Sequence, residues 1–181
     1  IRGSKLYSVL EGPFTQVGTA EVERLFGNGK VFTFPKPSEL VKHFLGCGSK
    51  DGIVVDFFAG SGSTAHAVMD LNAQDGGNRR FITVQLPQAC DQNSEALQAG
   101  FKTIAEIAKE RIRRAGKEIK QDNAGKPGIE KVDVGFRVLK IDSSNMKEVF
   151  YTPDAVSQDL LSDQVNNIRE DRTPEDLLFQ V

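Results

Sequence analysis

Apolar positions change their period several times along the chain, and each change predicts an element. The run IVV at 53–55, closed by Asp56 and a glycine-rich turn, has the pattern of a buried strand over 53–57. STAHAVMDLNA then returns to apolar residues every three or four positions and predicts a helix over about 63–73. DGGN at 75–78 is a turn, and RFITVQL predicts a second strand over 80–86. Strand, helix and strand in that order put the two strands parallel. A long helix is predicted over about 96–117, where Leu97, Phe101, Ile104, Ala108 and Ile112 share one face. Gly100 lies inside that pattern and costs about 1 kcal/mol against alanine, which weakens the first turn.

Upstream, a short helix is expected, capped by Thr19 and ended at Gly27. Residues 31–34 read as a strand or extended segment. Pro35 and Pro37 exclude helix there, and Ser38 can cap a helix with Leu40, Val41, Phe44 and Leu45 on its apolar face. Gly46 and Gly48 end that helix. Downstream, 121–130 is a polar linker, VDVGFRVLKID alternates like a strand, and the remainder reads as a mostly helical, acidic appendage.

Composition narrows the classes. With 39% hydrophobic and 27% charged residues, the chain is an ordinary globular sequence of 181 residues, enough for one domain. No apolar run approaches the roughly 20 residues of a membrane span. Cys47 and Cys90 are the only cysteines, which argues against a zinc site or disulfide framework and fits a reducing cytoplasm. A net charge of -2 argues against a wholly basic nucleic-acid binder, yet 101–120 carries seven Lys or Arg against three Glu. Arg111, Arg113 and Arg114 are therefore expected to make at most non-specific phosphate contacts. The start at Ile1 and the stop inside DLLFQV read as the ends of a fragment.

GSGSTA at 60–65 fits the G-x-G-x-x-(G/A) dinucleotide fingerprint, a weak signal alone. That mechanism puts a pyrophosphate on the helix N-terminus and an acidic residue on the ribose. Asp56 would repel the pyrophosphate, and the ribose position is Gln85. A phosphate-free ligand with a positive centre removes the first objection. S-adenosylmethionine carries an ammonium that Asp56 can attract, Gln85 can hydrogen-bond the ribose, and the helix N-terminus can receive the methionine carboxylate.

DFFAGSGST followed by a helix and RRFITVQLP closely resembles the cofactor motif of the amino-methylating DNA methyltransferases. FPKPSEL resembles that family's Lys-Pro box, and its place before the glycine loop resembles the permuted beta group of adenine methyltransferases. AGFKTIAEIAKERIRRAG, GFRVLKIDSSN and EDLLFQV are similar to the modification subunit of type III restriction-modification systems. The resemblance covers almost the whole chain. It implies an α/β fold: the cofactor-binding half of a Rossmann-like methyltransferase, with a C-terminal appendage. Residues 1–30 would end a target-recognition or connector region, 31–120 bind cofactor, and 121–181 form the extension. It also implies adenine amino methylation of double-stranded DNA, a restriction subunit and a second modification subunit as partners, and no metal.

The implied cofactor residues are Lys36, Pro37 and Ser38 of the Lys-Pro box, Asp56, Phe58, Ala59, Gly60, Ser61, Gly62 and Thr64 of the loop, and Gln85. Phe57 and Phe58 are expected to divide, one in the sheet core and one near the ligand. Ser63 and Thr64 serve either the carboxylate or the helix cap, and His66 either the site or simple packing. His43 is a surface residue. The family's Asp-Pro-Pro-Tyr catalytic tetrapeptide is absent from all 181 residues, so no catalytic residue is assigned. Two other readings stand beside this one: a dinucleotide-binding oxidoreductase domain, and a non-catalytic module for nucleic-acid binding or subunit docking.

Overall fold

Helix α1 (Thr15–Phe26) begins four residues before Thr19 because the face that it buries starts earlier, at Gly18, Glu21, Val22 and Leu25. Gly27 ends it in the left-handed conformation, its N–H bonded to the Glu23 carbonyl. The computed structural model describes residues 12–141, 143–147 and 168–178. A 3₁₀ turn over Gly29–Val31 follows, closed by the Asn28 side chain on the Lys30 N–H. Of the strand or extended segment expected at 31–34 no strand is formed: Val31 turns into the core, Phe32 is extended, and Phe34 takes the left-handed conformation with its ring exposed. With no neighbouring strand, the apolar residues there are divided between core and solvent.

Helix α2 (Ser38–Leu45) has Pro37, not Ser38, at its cap position; Ser38 spends its hydroxyl on Glu21 instead. Strand β1 (Ile53–Asp56), helix α3 (Ser63–Asp75) and strand β2 (Arg80–Thr83) form the expected unit. The strands pair in parallel, from Ile53 opposite Arg80 to Asp56 opposite Thr83. Gly76, at φ 67°, ends α3. Asn72 then grips the backbone N–H and carbonyl of Arg79, whose guanidinium bonds Asp75. That clamp holds β2 in register and keeps the Asp75 carboxyl below the usual carboxylate range, chiefly through the Arg79 hydrogen bond.

The single helix predicted over 96–117 is two. Helix α4 (Glu95–Gln98) stops ahead of Gly100 at φ 93°, and α5 (Ile104–Asp122) restarts with its own capping box, Thr103 with Glu106. A left-handed glycine and a fresh cap outweigh a continuous apolar period.

Leu25, Ala65, Met69, Ile112, Ala115 and Ile119 form one core cluster from α1, α3 and α5, against which Phe81 of β2 packs. Val22, Val31, Ala96 and Ile107 form another. Among the described residues the other face of the sheet is bare: Ile53, Val55, Ile82 and Val84 are exposed. Parallel sheets are normally covered on both faces.

Residues 132–136 alternate in burial, and Val134 and Phe136 pack on the first cluster, but the described part of VDVGFRVLKID forms no strand. Period-two burial without a ladder partner leaves it as extended chain. The fold divides into two compact units, Ile1–Phe136 and Arg137–Val181. In the second, Met146 bridges Ile168, and a short helix, α6 (Pro174–Leu178), hands the Asp176 carbonyl to the Asn145 amide. Most of the expected helical appendage lies outside the described residues. Among those described, no helix is long and apolar enough to cross a membrane.

Candidate cofactor-binding site

Asp56 is the last residue of β1, and its carboxylate reaches over the turn that follows. One oxygen accepts the Phe58 N–H at 3.0 Å and the other the Thr64 hydroxyl at 2.5 Å. An ionised carboxylate offers about four acceptor sites, so two remain beyond these protein donors. Gly60 (φ 53°) and Gly62 (φ 82°) make the turn, and Gly62 is the cap residue of α3. A glycine cap supplies no capping side chain, and α3 has no acid in its first turn. The first turn of α3 thus has no capping side chain of its own, and the Asp56 carboxylate reaches it through the Thr64 hydroxyl.

The loop is tied at both sides. The Ala59 N–H bonds the Val84 carbonyl, and the Gly60 N–H donates to the Gln85 amide oxygen at 2.8 Å. Gln85 therefore stands at the loop with that oxygen engaged; its amide nitrogen donates to the Leu86 carbonyl. Ser61 and Ser63 are buried and turn their hydroxyls inward, 3.2 Å apart, and Ser63 donates to the main-chain carbonyl of Lys36 at 2.8 Å. That bond joins the two expected cofactor segments. Pro37 is buried, Lys36 is exposed, and Ser38 lies against Glu21. Ala59 is buried.

Phe57 is 69% exposed and Phe58 90% exposed. The expected division between them is corrected: neither ring enters the sheet core, because the turn leaves the strand face just before them. His43 is exposed, and Cys47 and Cys90 are free thiols.

Two residues missed from sequence organise the site. Arg111 of α5 is fully buried; its guanidinium donates to Ser61 Oγ and to Glu21 Oε2, each at 2.8 Å. Glu21 in turn accepts the Ser38 N–H at 3.0 Å and the Ser38 hydroxyl at 2.8 Å. Arg111 is therefore not on the solvated face from which a phosphate contact would be made. Burial pushes the guanidinium pKa down while Glu21 opposes it; an arginine still stays charged. Arg113 and Arg114 both pair with Glu110, and Arg114 also stacks over Phe26 and reaches the Leu25 carbonyl. A signal was present: Arg111 falls three residues after Ala108 and four before Ala115, inside the apolar stripe of α5.

His66, in the first turn of α3, is 4% exposed, and its Nδ1 has no partner among the described residues. Burial above all, then the Arg111 charge, lowers its pKa to about 3. It is a neutral, packed imidazole. No group of His, Cys, Asp or Glu among the described residues could hold a metal.

Residues 13–115 match the family model described as DNA methylase, more than half of the chain. The chain belongs to the DNA methylase family. The match spans the Lys-Pro segment, the glycine loop and Arg111 alike. This DNA methylase chain is 46% identical over 121 residues to the type III restriction-modification enzyme StyLTI Mod subunit of Salmonella typhimurium, covering 66% of this chain and 18% of the relative. It is 39% identical over 128 residues to the EcoPI Mod subunit of Escherichia phage P1, covering 69% and 19%. To the type II methyltransferase M.KpnI of Klebsiella pneumoniae it is 37% identical over 100 residues, covering 55% and 24%. The chain thus spans about a fifth of the length of the Mod subunits it matches.

Proposed function

We propose that this chain is the S-adenosylmethionine-binding part of a type III modification subunit that methylates the exocyclic amino group of adenine in double-stranded DNA. One observation carries the reading: the bond from Ser63 to the Lys36 carbonyl brings the Lys-Pro segment onto the glycine loop, beside the Asp56 carboxylate. On this reading Asp56 attracts the ammonium, the N-terminus of α3 receives the carboxylate, and the Lys36–Pro37–Ser38 main chain borders the methionine end. Gly60 and Gly62 let the backbone approach. Ala59, Ser61 and Thr64 shape the loop, and exposed Phe58 is free to cover the ligand. Gln85 serves by holding Gly60, a more local role than the ribose contact its position suggested. The cofactor supplies an electrophilic methyl group.

The fold would be the cofactor-binding half of a Rossmann-like methyltransferase. Its bare sheet face would be covered by another part of the full-length protein, which would also supply the Asp-Pro-Pro-Tyr tetrapeptide to hold a flipped adenine. On the proposed division, residues 31–120 bind cofactor, 1–30 connect to target recognition, and 121–181 extend the domain. The relatives are named as Mod subunits of type III restriction-modification enzymes, which supports a restriction subunit as a partner; a second modification subunit and a cytoplasmic location belong to the same proposal.

A thermal-shift comparison tests the cofactor. S-adenosylhomocysteine at a hundred times its Kd should stabilise the full-length protein by about 2.7 kcal/mol, and NAD should leave it unmoved. A shift with NAD and none with S-adenosylhomocysteine would overturn the reading in favour of a dinucleotide site.

A further inference from the structure

Seven residues form a closed ring of bonds through the interior. Lys36 and Ser38 are linked by the chain through Pro37; Ser38 bonds Glu21, Glu21 bonds Arg111, Arg111 bonds Ser61, Ser61 meets Ser63, and Ser63 returns to the Lys36 carbonyl. Glu21, Ser38, Ser61, Ser63 and Arg111 are all buried, and their bonds run to one another and to the backbone. We infer that Arg111 is a positioning residue, which with Glu21 holds the glycine loop against the Lys-Pro segment and so sets affinity for the cofactor. The inference rests on the proposed cofactor site.

The geometry favours this over a purely stabilising ion pair. Val22, Ile107 and their neighbours already pack α1 to the rest of the core, and a buried ion pair adds little that apolar residues could not. What apolar residues lack is direction. A planar guanidinium has donors in a fixed fork, and here one arm goes to the loop and the other to the carboxylate that holds the N-terminus of α2. The same segment is fixed from its other side: a Cβ on Gly18 would stand 2.1 Å from the Pro35 carbonyl oxygen, so α1 touches this backbone directly. Binding sites need their groups held within about 0.5 Å, and the ring joins both cofactor segments to one rigid helix.

The test separates position from stability in the full-length protein. Arg111→Met with Glu21→Gln cuts the loop arm, keeps an acceptor for Ser38 and leaves no unpaired charge. Ser61→Ala removes the loop arm together with the Ser61–Ser63 contact and keeps the Arg111–Glu21 pair. For both variants, the ligand-free melting temperature and the Kd for S-adenosylhomocysteine are measured. Melting close to that of the unchanged protein with Kd raised about tenfold, within the range for a residue that acts on a ligand without touching it, supports the inference. Unchanged Kd in either variant overturns it, whatever happens to the melting temperature. Failure of the unchanged protein to bind at all would instead overturn the cofactor site, and the inference with it.

Discussion

Arg111→Met alone should destabilise the fold by about 3–5 kcal/mol, the usual cost of removing one partner from a buried ion pair. Glu21 would keep both Ser38 donors but lose the only cation bonded to it among the described residues, with its side chain almost inaccessible to water. The loss comes from the stranded carboxylate rather than from lost attraction, so adding Glu21→Gln should restore most of it. Arg113→Met, on an exposed side chain of the same helix, should change stability by no more than about 0.5 kcal/mol. Urea unfolding of the four proteins checks the series. Equal, small effects at 111 and 113 would place Arg111 at the surface, against the structure.

Lowering the pH from 6.5 to 4 should cost about 3 kcal/mol through His66 alone. The folded imidazole has a pKa of about 3, below the ordinary 6.5, because it is buried and the Arg111 charge is near. Between those values the unfolded chain takes a proton that the folded one refuses. The stability this histidine permits is complete above pH 6.5 and is lost as the pH falls toward 3. Asp70 works against the depression, while Arg24 and Lys42 add to it. His66→Gln should therefore flatten the acid limb of a stability–pH curve measured by urea unfolding. An acid limb unchanged in the variant would assign the loss to other groups. Arg111→Met should flatten it in part, since a charge that disfavours the imidazolium is gone.

The strand–helix–strand unit was readable because each of its signals is local: an apolar run, two glycines, a 3.6-residue period and a glycine stop. Boundaries failed where tertiary partners decide. VFTF at 31–34 has strand composition but no neighbour to pair with, and the period across 96–117 hid the break at Gly100. At the site, Asp56, Gly60, Gly62 and the Lys-Pro segment stood out by residue type and spacing. Glu21 did not, because its partners Ser38 and Arg111 lie 17 and 90 residues away. Arg111 was misread for a related reason: a charge count along 101–120 takes no account of which face a side chain occupies. The apolar stripe already held the correction.

On the proposed reading Asp56 stands at the loop to meet a positive ligand group, although it also braces the loop through Phe58 and Thr64. Titration calorimetry of S-adenosylmethionine into the full-length protein and its Asp56→Asn variant tests this most directly. Asparagine keeps the shape: its oxygen can still accept the Phe58 N–H and its NH2 can donate to the Thr64 hydroxyl, so ligand-free stability should hardly move. A charge-assisted hydrogen bond is worth about 1.5–3 kcal/mol, so affinity should fall by about tenfold to a hundredfold. Equal affinity in the two proteins would leave Asp56 as a brace of the turn alone and rule out its contact with the ammonium.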